Sequence, residues 1–440
     1  MFSAIIRVFR SVDLRNKLLF TLAIVAIFRL GSFIPAPNVN YANVQDCVAA
    51  TESTSGLYEL VNLFSGGALL QLSIFALGIM PYITASIIMQ VLGVVIPKLE
   101  QWQQEGATGQ RKITQWTRYV AIGIATLQGA GLTFIFGQGN GSAFLGAAAN
   151  APDVVLLDPF MPRALLVIPT LVAGTALLMW IGELISQRGI GNGMSMLIFA
   201  SVVSGLPYNY YSLLQSKKTI TFIVLVAVSI AILFAVVRVE LGSRRIPVQF
   251  AKRVVGRKQY GGQNTYIPLK VNQAGIVPII FASSVLLLPV LLSNMLGSGE
   301  GWRGSIASFV NNYLVNSQNM LYISVFFLLI IAFAYFYNSI AFDPIRQADQ
   351  LRKQGGFIPG IRPGPQTESF LAKTVNRITL PGAMFVAFIA ILPYIILWVG
   401  DVQSFPFAGT TVLIAVGVAL ELMRQIDSQL MPRNYEGFLK

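Results

Sequence analysis

Histidine does not occur in this 440-residue chain, and cysteine occurs once, at Cys47. The first absence removes the commonest general base, proton relay and zinc ligand together. The second rules out an internal disulfide, and no zinc or iron–sulfur spacing is present. No G-x-x-x-x-G-K-[ST] string occurs, which excludes ATP hydrolysis through a P-loop. Charge is scarce as well, with Asp, Glu, Lys and Arg making up 11% of the residues. The apolar stretches carry no carboxylate pair, so an intramembrane enzyme is disfavoured, and no cofactor or metal is expected. They also lack the mid-membrane charges of an ion-coupled carrier. A secondary solute transporter therefore remains only as the alternative reading.

What the chain has is apolar length. Hydrophobic residues make up 55%, in runs centred near 18–36, 72–96, 119–137, 164–182, 194–213, 219–237, 273–296, 319–342, 378–399 and 405–420. Each approaches the ~20 residues needed to cross a ~30 Å hydrocarbon core as a helix. Twenty-six of the 31 Lys and Arg fall in the alternate gaps 1–17, 97–118, 183–192, 238–270, 341–377 and 421–440. Positive residues are retained in the cytoplasm, so ten spans with both termini cytoplasmic are expected. The same rule accounts for most of the net charge of +13 without nucleic acid, and no DNA binding is expected. The N-terminal segment MFSAIIRVFRSVDLRNK is basic, and the apolar run after it has no small-residue cleavage site, so no cleaved leader is expected.

Two of the basic gaps have shape. In 238–270, β-like segments around 246–251 and 265–269 flank a Gly-Gly pair, which predicts a projecting hairpin carrying Arg253 and Arg257. In 341–377, the string GGFIPGIRPG enforces a defined turn with Arg362 at its tip. Together they form a candidate docking platform. Gly189-Ile190-Gly191-Asn192-Gly193 reads as a tight turn between spans rather than a phosphate cradle.

The segment 37–71 is unusual. Leu57, Leu60, Val61 and Phe64 recur at helical spacing, and Gly66 and Gly67 end the run. About nine residues reach only ~14 Å, too short to span. Such a helix either lies in the interface or folds back into a cavity as a stopper. Arg29, near the outer end of the first span, either snorkels or finds a partner. Neutral polar groups in the spans include Thr84, Gln128, Asn272, Ser283 and Ser284, and Pro81, Pro278, Pro289, Pro381 and Pro393 permit kinks.

The strings LFSGGALLQLSIFALGIMPYITASIIMQ (63–90), GQRKITQWTRY (109–119), RGIGNGMSMLIFA (188–200), RRIPVQFAKRVVGRKQYGGQNTYIPLKVNQAGIVPIIFASS (244–284) and GGFIPGIRPG (355–364) resemble the bacterial SecY family, the central subunits of protein-conducting channels. The resemblance covers nearly the whole chain. It implies an all-α polytopic membrane protein of ten transmembrane helices, in two pseudosymmetric inverted halves around an hourglass pore. The halves would be 1–213 and 214–430, followed by a cytoplasmic tail at 431–440. It implies a pore ring of Ile79, Ile83, Met194, Ile198, Ile280 and Ile414, with Met194 a departure from the isoleucine usual there. It implies a plug at about 57–67, and a lateral gate between spans two with three and seven with eight, carrying Thr84, Gln128 and Asn272. The implied partners are SecE-type and SecG-type subunits, the SecA motor ATPase, the ribosome, signal peptides, unfolded preproteins and membrane lipids. The docking residues are Arg253, Arg257 and Arg362, on loops 241–271 and 341–375. The implied location is the bacterial inner membrane. The chain is expected to be a passive, non-catalytic conduit that also releases apolar segments sideways into lipid. An apolar waist suits that task, because it binds no segment strongly and dewets when empty.

Overall fold

The computed structural model describes residues 11–44, 65–69, 71–137, 160–215, 219–250, 253–255, 258–260, 264–296, 309–310, 313, 319–400 and 409–436. Ten helices of 16 to 36 residues organise the described residues, four of them long and apolar enough by themselves to cross a membrane. The first five are α1 (Val12–Gly31), α2 (Met80–Val95), α4 (Ala107–Gly137), α5 (Phe160–Arg188) and α6 (Gly193–Gln215). The second five are α7 (Thr219–Leu241), α8 (Val277–Leu296), α9 (Met320–Ala341), α11 (Pro365–Gly400) and α12 (Gly409–Glu436). Two short helices join them: α3 (Pro97–Gln104), bent 102° from α2, and α10 (Pro344–Lys353). The outward faces are apolar, as helices in lipid require, with Leu165, Ile230, Phe234 and Leu328 all more than half exposed.

Inside each half, neighbouring helices pack in sequence: α2 on α4, α4 on α5, then α8 on α9 and α9 on α11. Between the halves, α4 and α2 meet α8, while α6 meets α12. Prolines set several of the ends. Pro81 and Pro278 occupy first-turn positions and so start helices instead of kinking them, because the first turn has no intrahelical acceptor for the missing N–H. Pro289, Pro381 and Pro393 lie inside helices as expected, joined by Pro169 and Pro207.

The second span is shorter than its apolar run. Residues 71–79 form turns, and their backbone is tied to the segment that follows α1: Ala36 N–H donates to the Leu72 carbonyl at 2.9 Å and Ile74 N–H to the Ile34 carbonyl at 3.0 Å. The excursion between α1 and α2 is thus closed at its feet. Leu72 sits at φ +42°, a strained conformation for a branched side chain, within this join.

The predicted hairpin is present. Strand β1 (Ser243–Phe250) pairs antiparallel with β4 (Asn264–Lys270), Ile246 lying opposite Ile267. A small ribbon of β2 (Arg253–Val255) and β3 (Lys258–Tyr260) lies between them in sequence. Strand β5 (Gly356–Phe357), from the other basic loop, joins the far edge of β1. The two loops therefore share one sheet and one core: Ile246, Val248 and Leu269 pack with Phe342, Leu351 and Ile358, and with Leu371 and Val375 of α11. Asp343 caps α10, accepting from the Ile345 and Arg346 backbone N–H groups at 3.0 and 3.3 Å.

Candidate functional site

The six predicted ring residues come from four helices and both halves. Ile79 caps α2 and Ile83 lies one turn on, Met194 and Ile198 are one turn apart in α6, Ile280 is in α8 and Ile414 in α12. The structure brings all six into one apolar cluster. Ile79, Ile198, Ile280 and Ile414 are at most 4% exposed, so these four side chains are covered within the cluster. Ile83 and Met194 stand at its edge, partly exposed. The Gly182 backbone of α5 lies so close to Met194 that an added Cβ would fall 2.5 Å from its Sδ; the flexible thioether fills this gap. The tight turn that starts α6 is held the same way. Gly193 lies against the Gly182 carbonyl with no room for a side chain, and its N–H donates to Ser186 Oγ at 2.8 Å.

A cavity of about 820 Å³ opens onto the ring, reaching Ile83, Met194, Ile198 and Ile280. Its walls mix apolar and polar side chains, the polar ones including Gln90, Glu183, Asn192, Glu240, Lys270 and Arg424. Two carboxylates in the wall are engaged: Glu183 is held bidentately by Arg118, one contact being Nε–H to Oε1 at 2.7 Å, and Glu240 accepts from Asn272 Nδ2 at 3.1 Å.

On the far side of the ring, the same cluster continues into Ala68 and Phe75, and Phe75 stacks on Phe28 of α1 with centroids 6.0 Å apart. Leu57, Leu60, Val61 and Phe64 lie outside the described residues. Gly66 and Gly67, at φ +67° and +88°, make the left-handed turn that ends this segment. Arg29 has a partner: its guanidinium donates to the Gly66 carbonyl and lies 4.8 Å from the Phe33 ring centroid. Sequence reasoning left that pairing open, because the two residues are 37 positions apart. A charge-assisted hydrogen bond contributes about 1.5–3 kcal/mol, and the ring contact about 0.5–1 kcal/mol more. Arg29→Leu should therefore let the segment leave the ring more often, raising basal ion conductance in planar bilayers at least about tenfold. Arg29→Lys should restore part of the seal. Parental conductance in Arg29→Leu would count against the latch.

The three polar residues assigned to a lateral gate are not bonded to one another. Thr84 Oγ1 lies 3.2 Å from Ser284 Oγ, across the seam between α2 and α8. Each hydroxyl also reaches its own helix, Thr84 to the Met80 carbonyl at 2.9 Å and Ser284 to the Ile280 carbonyl at 2.8 Å. With one proton per hydroxyl, at most one of them serves the seam. Gln128 is buried in α4, and Asn272 is turned to Glu240 and the Gly275 carbonyl. Ser284 stands one helical turn beyond Ile280, a spacing visible in the sequence, although its partner 200 residues away was not. On the platform, Arg362 is exposed, and its carbonyl accepts from Thr367 Oγ1 at 2.9 Å. The Arg253 backbone lies in β2, while Arg257 falls outside the described residues.

The family model for SecY matches residues 73–423. The chain belongs to the SecY family. A SecY chain of Mycobacterium bovis, called protein translocase subunit SecY, is 49% identical over 447 residues, covering 100% of both chains. One from Streptomyces scabiei is 50% identical over 445 residues, again covering both in full. Among solved structures, the chain is similar to one described as a protein conducting channel, with TM-score 0.60 and 19% identity over 94% of this chain and 92% of that one. It is also similar to Sec61 in a canine ribosome–channel complex, with TM-score 0.59 and 17% identity over 94% and 92%. The ten-span arrangement in two five-helix halves is the SecY fold, and the chain is a SecY translocase channel subunit. The solute-transporter alternative finds no support.

Proposed function

We propose that this chain forms the pore through which unfolded secretory polypeptides cross a bacterial inner membrane, with both termini cytoplasmic. The observation that carries the reading is one cluster of six apolar side chains, drawn from both halves, at the inner end of a cavity with polar groups in its wall. A polypeptide presents every kind of side chain, so its conduit must hold none of them strongly. Branched apolar groups part around a moving chain and close behind it, and an empty apolar waist excludes ions by dewetting. In this reading the segment ending at Gly66 and Gly67 is the plug, latched by Arg29. The seam of α2 and α4 against α8 and α9 is the lateral gate, where Thr84, Gln128 and Asn272 help favour the shut state. ATP hydrolysis belongs to a SecA-type motor, which with the ribosome docks on the platform carrying Arg253, Arg257 and Arg362. Small SecE-type and SecG-type subunits accompany the chain. One experiment tests the conduit directly. A photo-crosslinker placed at Ile79 or at Ile198 should capture a stalled secretory precursor, whereas one at lipid-facing Leu165 should not. A precursor that threads the complex without touching either ring position would overturn the assignment.

A further inference from the structure

A groove of about 570 Å³ lies between the end of α9 and the start of α11, well away from the ring. Its polar lining is Tyr335, Ser369, Lys373, Asn376 and Arg377. Lys373 and Arg377 stand four residues apart on α11, so both project to the same side. Both are exposed, and neither belongs to an ion pair among the described residues. Like charges at this spacing repel, so the pair is favoured by an anion held between them. The donor set suits phosphate: a planar guanidinium that binds two oxygens at once, an ammonium, two hydroxyls and a carboxamide.

The groove is also placed for a lipid. Below Arg377 on the same face of α11, Leu380, Met384 and Phe388 are 47%, 48% and 52% exposed, in steps of three or four residues. Alongside, α9 exposes Leu328 and Leu321 below Tyr335. From Arg377 to Phe388 the helix descends about 17 Å, close to one leaflet's share of a ~30 Å hydrocarbon core. A basic, donor-rich pocket thus caps an apolar stripe one acyl chain long. The end of α11 that carries it also carries the basic platform, the side assigned to the cytoplasm.

We propose that Lys373 and Arg377, with Tyr335, Ser369 and Asn376, bind the phosphate of one anionic phospholipid of the cytoplasmic leaflet, its acyl chains lying along Leu380, Met384 and Phe388. The inference rests on the chain's spanning a membrane and is independent of what the pore carries. Cytoplasmic retention of positive charge explains the two cations but neither the pocket nor the stripe below it.

The test titrates the delipidated full-length chain in detergent with phosphatidylglycerol, counting bound lipids by native mass spectrometry. Lys373→Gln/Arg377→Gln should weaken the tightest bound lipid about tenfold, from the loss of two cations at the headgroup. Arg111→Gln/Lys112→Gln, which removes the same charge elsewhere, should leave it unchanged. Lys373→Arg/Arg377→Lys, which keeps both charges, should retain binding. Phosphatidylcholine should show no difference among the variants, and inorganic phosphate alone should not displace the bound lipid. Equal weakening by both neutral variants, loss of binding in the charge-conserving variant, or displacement by inorganic phosphate would each overturn the proposal. So would a crosslinker at Asn376→Cys that captures another membrane subunit in native membranes.

Discussion

Ile198→Asp should leave the channel conducting ions with no polypeptide present. Ile198 is 4% exposed and sits among Ile79, Ile280 and Ile414, whose side chains offer a carboxylate no donor. Burying that charge unpaired costs several kcal/mol, so the carboxylate draws water into the waist from the cavity that already reaches it. Destabilising the shut state by even about 2.7 kcal/mol multiplies the open-to-shut ratio about a hundredfold. Single-channel recording in planar bilayers reads this as a large rise in open probability. Ile198→Leu, which keeps the volume, should stay sealed. A silent Ile198→Asp channel that is properly inserted would mean that the seal lies elsewhere.

Val248→Asp should abolish partner-driven export while leaving the seal intact. Val248 is fully buried at the centre of β1, in a core shared by both basic loops. An aspartate there has no partner and costs several kcal/mol, a large fraction of what so small a core supplies. The platform should lose its shape on both loops at once, because β5 depends on β1 for its pairing. Arg362→Glu should reproduce the loss of motor-driven export with the platform still folded, since Arg362 is exposed and contributes only its carbonyl to the local bonding. Protease protection of 243–270, measured beside export of a precursor into membrane vesicles, separates the two effects. Normal export by Arg362→Glu would remove that residue from the docking surface. Normal export by Val248→Asp would show that the platform's fold is not needed.

Much of this architecture is legible from local pattern. Alternating basic gaps and apolar length point to ten spans, and alternating apolar residues with Gly-Gly point to the hairpin. The ring was legible only through the family resemblance, which named Ile79, Ile83, Met194, Ile198, Ile280 and Ile414, and the structure packs all six together. What hydropathy cannot distinguish is a buried turn from a buried helix. The run from 72 reads as span, yet 71–79 are turns, with the Leu72 carbonyl and the Ile74 N–H bonded to Ala36 and Ile34. Long-range pairings are equally hidden. Nothing local in Arg29 points to Gly66, in Thr84 to Ser284, or in β5 to an edge of β1 more than a hundred residues earlier. Each depends on two segments meeting only after the helices have assembled.

Leu371 and Val375 belong to the platform core, yet they are also the opening turns of α11, which runs unbroken from Pro365 to Gly400. Thirty-six residues at about 1.5 Å each span at most roughly 54 Å, with Pro381 and Pro393 as points where the helix can bend. Farther along it, Val386, Ala387 and Ala390 share a core with Ile279, Ala282 and Leu286, which flank the Ile280 of the ring. One continuous helix thus joins the platform core to the residues beside the ring. In the function proposed above, a partner acting on the loops need never touch the waist: a tilt of this helix would reach the α8 side of the aperture through the shared core, as a lever moves a valve.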